Sequence, residues 1–272
     1  MNVPALIFDC DGVLADTERD GHRPAFNRAF AELGVPLGWD ESQYAAKVRI
    51  GGGKERIRAE FTPAYLDAHP EGPQDEAGIS DLIARLHRRK TDIYTEMITG
   101  GTIEPRPGVV RLAAQAHAAG WQLAVASTSA EPSVRAVLER VVGADLAAEF
   151  AVFAGDIVAA KKPAPDIYLH ALASLGVGAS EAVVVEDSAI GLRAARGAGL
   201  RTVVTVSGYT ADEDFSGAVL VLSSLGDHAA GAPVAVLADP NGLAPVREIT
   251  LQDIENVLRT TPVPAVRHEE ER

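Results

Sequence analysis

The sequence predicts an α/β fold: a parallel sheet covered by helices on both faces, interrupted after its first strand by an α-helical insertion. Three observations predict it. Beyond residue 107, short apolar runs rich in β-branched residues alternate with helical stretches, which is how βαβ units read. A similar run at residues 3–8 stands apart from the others, with the mostly helical residues 16–103 between them. Acids, hydroxyls and a lysine recur just past the ends of the runs, where ligands bind in doubly wound sheets.

The elements follow in order. Residues 3–8 (VPALIF) are the opening strand and 16–33 an amphipathic helix. Residues 39–99 read as helical throughout, punctuated by "IGGG" at 50–53 and by "AHPEGP" at 68–73. Within them, 79–98 carries apolar residues at the 3.6-residue period and no proline. "EPRPG" (104–108) breaks the chain. Helices at 112–119, 132–142, 163–175 and 189–198 then alternate with strands at 121–127, 149–155, 182–187 and 201–206. Residues 218–225 form the last clear strand. The tail from 226 holds "VAVLA" and a short helical pattern at 251–259, and the charged end 268–272 is expected to fray. No internal repeat is present. The organisation expected is a discontinuous core, 1–15 with 104–225, a helical cap at 16–103, and an extension 226–272 without assigned function.

An apolar content of 47% over 272 residues provides a sizeable core. A net charge of −13 argues against nucleic acid or an anionic membrane as a partner. Cys10 is the sole cysteine, so no internal disulfide forms, which suits a reducing compartment. No apolar run reaches membrane-spanning length. The opening strand leaves no room for a leader, so a cytosolic location is expected, and a monomer with it.

Within "IFDCDGVL" (7–14), two carboxylates lie one residue apart at the end of a buried strand. Like charges so close raise each other's pKa and resist desolvation. A divalent cation offsets that cost. Asp9 and Asp187, with Glu186, suit Mg²⁺, a hard cation that keeps several waters. No His/Cys cluster exists for zinc. A lysine, Lys162, and hydroxyls, Ser127, Thr128 and Ser129, beside such a site suit phosphate. Asp9 is then a nucleophile toward phosphorus, and Asp11 an acid for the leaving alcohol and a base for water. Gly12 allows the tight turn between them. Cys10, Trp39, Trp121 and Tyr168 read as packing residues, and Lys161 as a solvated neighbour of Lys162, with Pro163 opening a helix.

"DCDGVL", Ser127 after a strand, Lys162 before proline and "VEDSAIG" (185–191) resemble the four motifs of the haloacid dehalogenase superfamily, in order. The resemblance covers residues 5–225. It implies a Rossmann-like core with an inserted helical cap, Asp9 as nucleophile, and Asp11 as acid/base with its main-chain carbonyl on Mg²⁺. It further implies Ser127 and Lys162 on the transferring phosphoryl group and Asp187, with Glu186, at the metal. Dehalogenases of the superfamily need neither the second acid nor a metal, so Asp11 and Glu186–Asp187 favour phosphoryl transfer.

"DTERDGHRPAFN" (16–27), "IGGGKERI" (50–57), "KKPAPDIY" (161–168) and "SGYTADEDF" (207–215) further resemble the CbbY group. That resemblance implies hydrolysis of xylulose-1,5-bisphosphate, a Rubisco inhibitor. A bisphosphate requires a second phosphate site. Gly52, Gly53, Lys54 and Arg56, at the start of a helix, would supply N–H groups, dipole and cations. Glu18 and His22 would contact the sugar, and Ser129 the sugar or distal phosphate. The cap would close about hinges at 14–16 and 102–106. Two other readings use the same residues: a phosphomutase of the β-phosphoglucomutase kind, and a non-catalytic sugar-phosphate sensor.

Overall fold

A computed structural model describes residues 3–101 and 103–261, apart from the side chains of residues 19 and 20. Residue 102 of the expected second hinge and the expected frayed end 268–272 lie outside the described residues. Seven strands form one sheet in the order β3-β2-β1-β4-β5-β6-β7. They are β1 (Ala5–Phe8), β2 (Gln122–Ser127), β3 (Phe150–Ala154), β4 (Ala182–Glu186), β5 (Arg201–Thr205), β6 (Leu220–Leu222) and β7 (Val236–Ala238). All pairings are parallel except β6 with β7.

Strand β1 lies at the centre, fully buried. Its Leu6 and Phe8 enter one hydrophobic cluster and Ala5 and Ile7 another, as the period of two dictates. The first cluster lies under α6 (Val109–Ala118) and α7 (Glu131–Val142), the second under α9 (Asp166–Leu175) and α10 (Ala189–Gly197). A short helix α8 (Ala144–Ala147) precedes β3. The chain builds β2 and β3 on one side of β1, then crosses to β4 on the other. The winding therefore reverses between β1 and β4, the place where such sheets hold ligands.

Between β1 and α6 lie a π-helical turn (Glu18–His22) and five helices: α1 (Arg23–Glu32), α2 (Glu41–Val48), α3 (Gly53–Arg58), α4 (Pro63–Ala68) and α5 (Glu76–Thr99). We refer to them as the cap. They enclose their own cluster, in which Trp39 meets the ring of Phe30 edge-on at 5.0 Å and α5 contributes Ile79, Leu82, Ile83 and Leu86. The other half of α5, with Ile93, Tyr94 and Ile98, belongs to the cluster of the sheet. One helix thus joins both. Behind its C-terminal end, Ala15 bridges Pro105, and Arg106 N–H donates to Leu14 C=O at 2.9 Å. The Arg106 guanidinium donates to the carbonyls of Gly12, Thr205 (3.1 Å), Val206 (2.6 Å) and Ser223 (2.8 Å).

Several sequence expectations are corrected. Pro163 does not open α9, which starts at Asp166. The strand expected at 218–225 is three residues long, and the helix expected from residue 16 begins as a π-turn. The extension is not an appendage. Residues 236–238 add the antiparallel strand β7, and α11 (Leu251–Arg259) buries Ile254 and Val257 beside Ile249 in the main cluster. Among the described residues no helix is long and apolar enough to cross a membrane.

Candidate active site

Asp9 follows β1, and Glu186 ends β4 with Asp187 behind it. The neighbouring strands bring the three acids together. Each offers a carboxylate oxygen within 4.8 Å of the others, and all three residues are buried. Two glycines make room for them. A Cβ on Gly12, at φ +79°, would come within 2.0 Å of Asp187 Oδ2, and one on Gly191 within 2.1 Å of the Glu186 carboxylate. Gly12 therefore serves both turn and close approach.

Lys162 enters from the loop after β3. Its ammonium lies 2.6 Å from Asp9 Oδ1, 2.7 Å from Glu186 Oε1 and 2.9 Å from the Ala126 carbonyl, using all three donors. Tyr168 was expected only to pack. It is buried, but its hydroxyl also donates to Glu186 Oε1 at 2.5 Å. Ser127, at the end of β2, is buried, and its hydroxyl accepts from Ser129 N–H at 3.1 Å. Burial pushes the Asp9 carboxyl up to about 7 against the pull of Lys162. Burial, with Asp9 and Glu186 nearby, pushes Asp187 well above the usual carboxylate range. The lysine is held well above its ordinary value by those acids despite its own burial. Three carboxyl groups thus face one ammonium, and burial and mutual repulsion hold back the ionisation of Asp9 and Asp187. The donors of the cluster are all carboxylate oxygens, which is the chemistry of a site for a hard divalent cation. Cys10 beside it is buried, with its thiol pushed up by burial and the two aspartates, in keeping with a packing role.

Asp11 turns its carboxylate away from this cluster and toward the cap. Thr17 Oγ1 donates to Oδ1 at 2.5 Å, Ser129 Oγ to Oδ2 at 2.5 Å, and His22 Nε2 lies 2.7 Å from Oδ1. Burial alone would raise this acid, but His22, Ser129 and Thr17 hold it well below the usual range. The Asp11 carboxylate does not join the acid cluster; the metal contact expected of this residue was through its main-chain carbonyl. His22 and Ser129, expected to meet the sugar or the distal phosphate, are engaged with Asp11 instead. Lys90 donates to His22 Nδ1, so the Nε2 proton faces Asp11. The His22 ring stacks on Tyr94 at 4.1 Å.

Glu18 and His22 both reach the site because the single wide turn that joins them is π-helical, a feature common at functional sites. Arg56, from α3, grips Glu18 with both terminal nitrogens at 3.1 Å and donates from Nε to Ile50 C=O at 2.9 Å. Tyr44, from α2, donates to Glu18 and accepts from Arg56 Nη1 at 2.9 Å. With its guanidinium so occupied, Arg56 is not the open phosphate ligand expected. Asp9, Asp11, Glu18, Arg56, Thr128, Lys162 and Asp187 line a cavity of about 50 Å³.

Lys54 lies outside that cavity. It pairs with Asp156 of the core at 2.5 Å. Lys161, expected to be solvated, also binds Asp156, at 2.9 Å, and donates to Gly155 C=O. Lys54, Lys161, Gly53, Thr128 and a half-buried His87, its imidazole pushed down to about 3 by desolvation and the nearby Lys90 and Lys54, line a second cavity of about 300 Å³. Gly52, at φ +100°, turns the chain into α3 and lies with Gly53 on a small space between the two.

Sequence reading missed Thr17, Tyr44, Lys90, Tyr94 and Arg106. Lys90 and Tyr94 carried a signal: they lie on the apolar stripe of α5 with Ile83, Leu86 and Ile93, and a lysine there needs a partner. Thr17 and Arg106 carried none.

An α/β sheet with acids, lysine and serine at its reversal point defines a class of hydrolase, and the chain belongs to the haloacid dehalogenase-like hydrolase family, whose model matches residues 3–199. Within it, the chain is 48% identical to a CBBY-like protein of Arabidopsis thaliana over 82% of this chain and 69% of that one. It is 43% identical to protein CbbY of Cupriavidus necator, over 84% and 88%. It also resembles the crystal structure of a CbbY mutant from Rhodobacter sphaeroides in complex with xylulose-1,5-bisphosphate, with TM-score 0.71 and 43% identity over 82% and 94% of the two chains. The chain is an enzyme, a phosphatase.

Proposed function

We propose that this phosphatase is Mg²⁺-dependent, passes through a phosphorylated Asp9 and hydrolyses a sugar bisphosphate, xylulose-1,5-bisphosphate first among them. The observation that carries the reading is Asp9, buried and 2.6 Å from Lys162, with Glu186 and Asp187 on one side and Asp11 turned to the cap on the other. The bisphosphate bound by the related CbbY structure supports the substrate.

Asp9, Glu186 and Asp187 would hold Mg²⁺, with the Asp11 carbonyl beside them. When bound, the ion supplies the positive charge that keeps Asp9 ionised and screens an incoming phosphate. An Asp9 oxygen attacks phosphorus, the bond to the sugar oxygen breaks, and Asp11 protonates that oxygen. Lys162 and the Ser127 hydroxyl hold the non-bridging oxygens. Water then attacks the phosphoryl group on Asp9, Asp11 takes its proton, and inorganic phosphate leaves. The proton that Asp11 donates comes from Nε2 of His22 as Lys90 gives one to Nδ1, and the proton that Asp11 takes from water returns to Lys90 along the same path, which closes the cycle. The distal phosphate occupies the larger cavity beside Lys54 and Lys161, and the Glu18–Arg56 pair faces the sugar. Closure of residues 16–103 over the core about the hinge at Ala15–Pro105 excludes water.

The test is phosphate release with Mg²⁺ from xylulose-1,5-bisphosphate, ribulose-1,5-bisphosphate, fructose-1,6-bisphosphate, phosphoglycolate and β-glucose-1-phosphate, with Asp9→Asn as control. A preference for the first, with kcat/KM above about 10⁴ M⁻¹s⁻¹ and none from Asp9→Asn, is expected. Even, weak release overturns the substrate. An isomer of β-glucose-1-phosphate formed without phosphate release makes the enzyme a mutase. Turnover by Asp9→Asn overturns the nucleophile.

A further inference from the structure

The segment "SGYTADEDF" (207–215) takes no part in the chemistry above. It forms the core loop after β5, and both of its ends are pinned. Ser207 is buried, its hydroxyl bonds Asp187, and its N–H donates to Thr210 Oγ1 at 2.9 Å. At the far end the Glu213 carboxylate accepts from Ala189 N–H, at the start of α10, at 2.6 Å. Upstream, Arg106 holds the carbonyls of Thr205 and Val206. The loop is tied to the core at both ends.

Of its two large side chains, Phe215 packs back against the core beside Leu192 and Val204, and Tyr209 leans onto the cap. The half-buried Tyr209 packs against the cap cluster rather than either cluster of the sheet. Its ring stands edge-on to Tyr44, 6.0 Å between centroids at 75°. Tyr44 has no exposed surface, and its hydroxyl lies between Glu18 and Arg56. A core residue thus supports the cap residue that sets the Glu18–Arg56 pair over the Asp9 cavity.

We propose that Tyr209 is a positioning residue for substrate selection: docked on Tyr44, it fixes the Tyr44–Glu18–Arg56 arm in the arrangement that meets the sugar when the cap is closed. An edge-to-face pair favours the docked state by a few-fold to about tenfold. A substrate long enough to reach the arm feels this; a small aryl phosphate bound only at Asp9 and Lys162 does not. The proposal rests on the phosphatase reading only for the choice of kinetic substrate.

The experiment compares Tyr209→Ala, Tyr209→Leu and Tyr209→Phe in the full chain with Mg²⁺. Backbone amide exchange is followed with saturating inorganic phosphate as the probe. Tyr209→Ala and Tyr209→Leu are expected to speed exchange over residues 41–58 and leave β1 and β4 unchanged, with Tyr209→Phe restoring the wild-type rate. In kinetics, KM for xylulose-1,5-bisphosphate is expected to rise about three- to tenfold in both variants and to recover in Tyr209→Phe. kcat/KM for p-nitrophenyl phosphate stays at the wild-type level. Unchanged exchange at 41–58 overturns the proposal. So does an equal loss on both substrates with faster exchange across the whole sheet, which would make Tyr209 a packing residue. If wild type ignores the bisphosphate, the function falls while amide exchange still decides the role of Tyr209.

Discussion

A lysine with 5% of its surface exposed destabilises a fold unless its neighbours recover the loss. Lys90 lies over the rings of Phe26 and Tyr94, at 4.9 and 4.6 Å, and donates to His22. Burial still pushes its ammonium down to about 8. The folded value lies below the unfolded one, so the cost is full below pH 8 and fades as pH rises toward about 10.4. It amounts to about 3 kcal/mol. Lys90→Met is therefore expected to raise Tm at pH 7 by about 5 °C, with the gain shrinking in melts at pH 10. The same variant is expected to lower kcat on the order of a hundredfold, because the proton path to Asp11 is cut. At this scale the sequence was legible where a residue's position in its own element spoke for it. Asp9 and Glu186 stand at strand ends, Lys162 lies before proline in the loop after β3, and Lys90 interrupts an apolar stripe. It was silent where the meaning lies in a partner far along the chain. Ser129 on Asp11 is one case, and Arg56 already spent on Glu18 is another.

Elements show the same division. The central strands were readable because burial on both faces leaves continuous apolar runs, such as "AVVVE" of β4. Strand β7 was not, because all three of its residues are exposed and it is defined only by antiparallel pairing with β6. Pro163 misled because proline favours the first turn of a helix, whereas here it belongs to the loop that delivers Lys162. Helix α11 was visible as a pattern but not as a purpose. Thr250 caps it in a reciprocal box with Asp253, and Ile254 and Val257 seal the cluster beneath α6. Ile254→Ala is expected to cost about 3 kcal/mol in denaturant unfolding while leaving KM unchanged, since Ile254 packs in the main hydrophobic cluster and not in the site cavity. An unaltered midpoint would return the extension to the status of an appendage.

For the whole molecule, the decisive contact is the seat of the cap on the core. Gly51 rests on the main-chain carbonyl of Lys162, and a Cβ there would stand 2.3 Å from that oxygen. The obstacle is backbone, so Gly51→Ala is expected to keep the cap from seating. KM for the bisphosphate should rise on the order of tenfold, and solution scattering should show no compaction with phosphate. Scattering like that of wild type would show that the seat tolerates a methyl group. At the other end of the cap, Arg106 is fastened to four carbonyls drawn from three separate loops. Fastened at that many points, Arg106 ties the base of the cap to the sheet. With 24 residues, α5 is a lever about 36 Å long, its inner end fixed in the main core. In the closure proposed above, rotation about this hinge would carry Lys54 of α3 past Asp156 of the core while moving Asp11, close to the axis, far less. Entry and exit of substrate would then be angular events, scaled by the distance from Arg106 to the cap residue concerned.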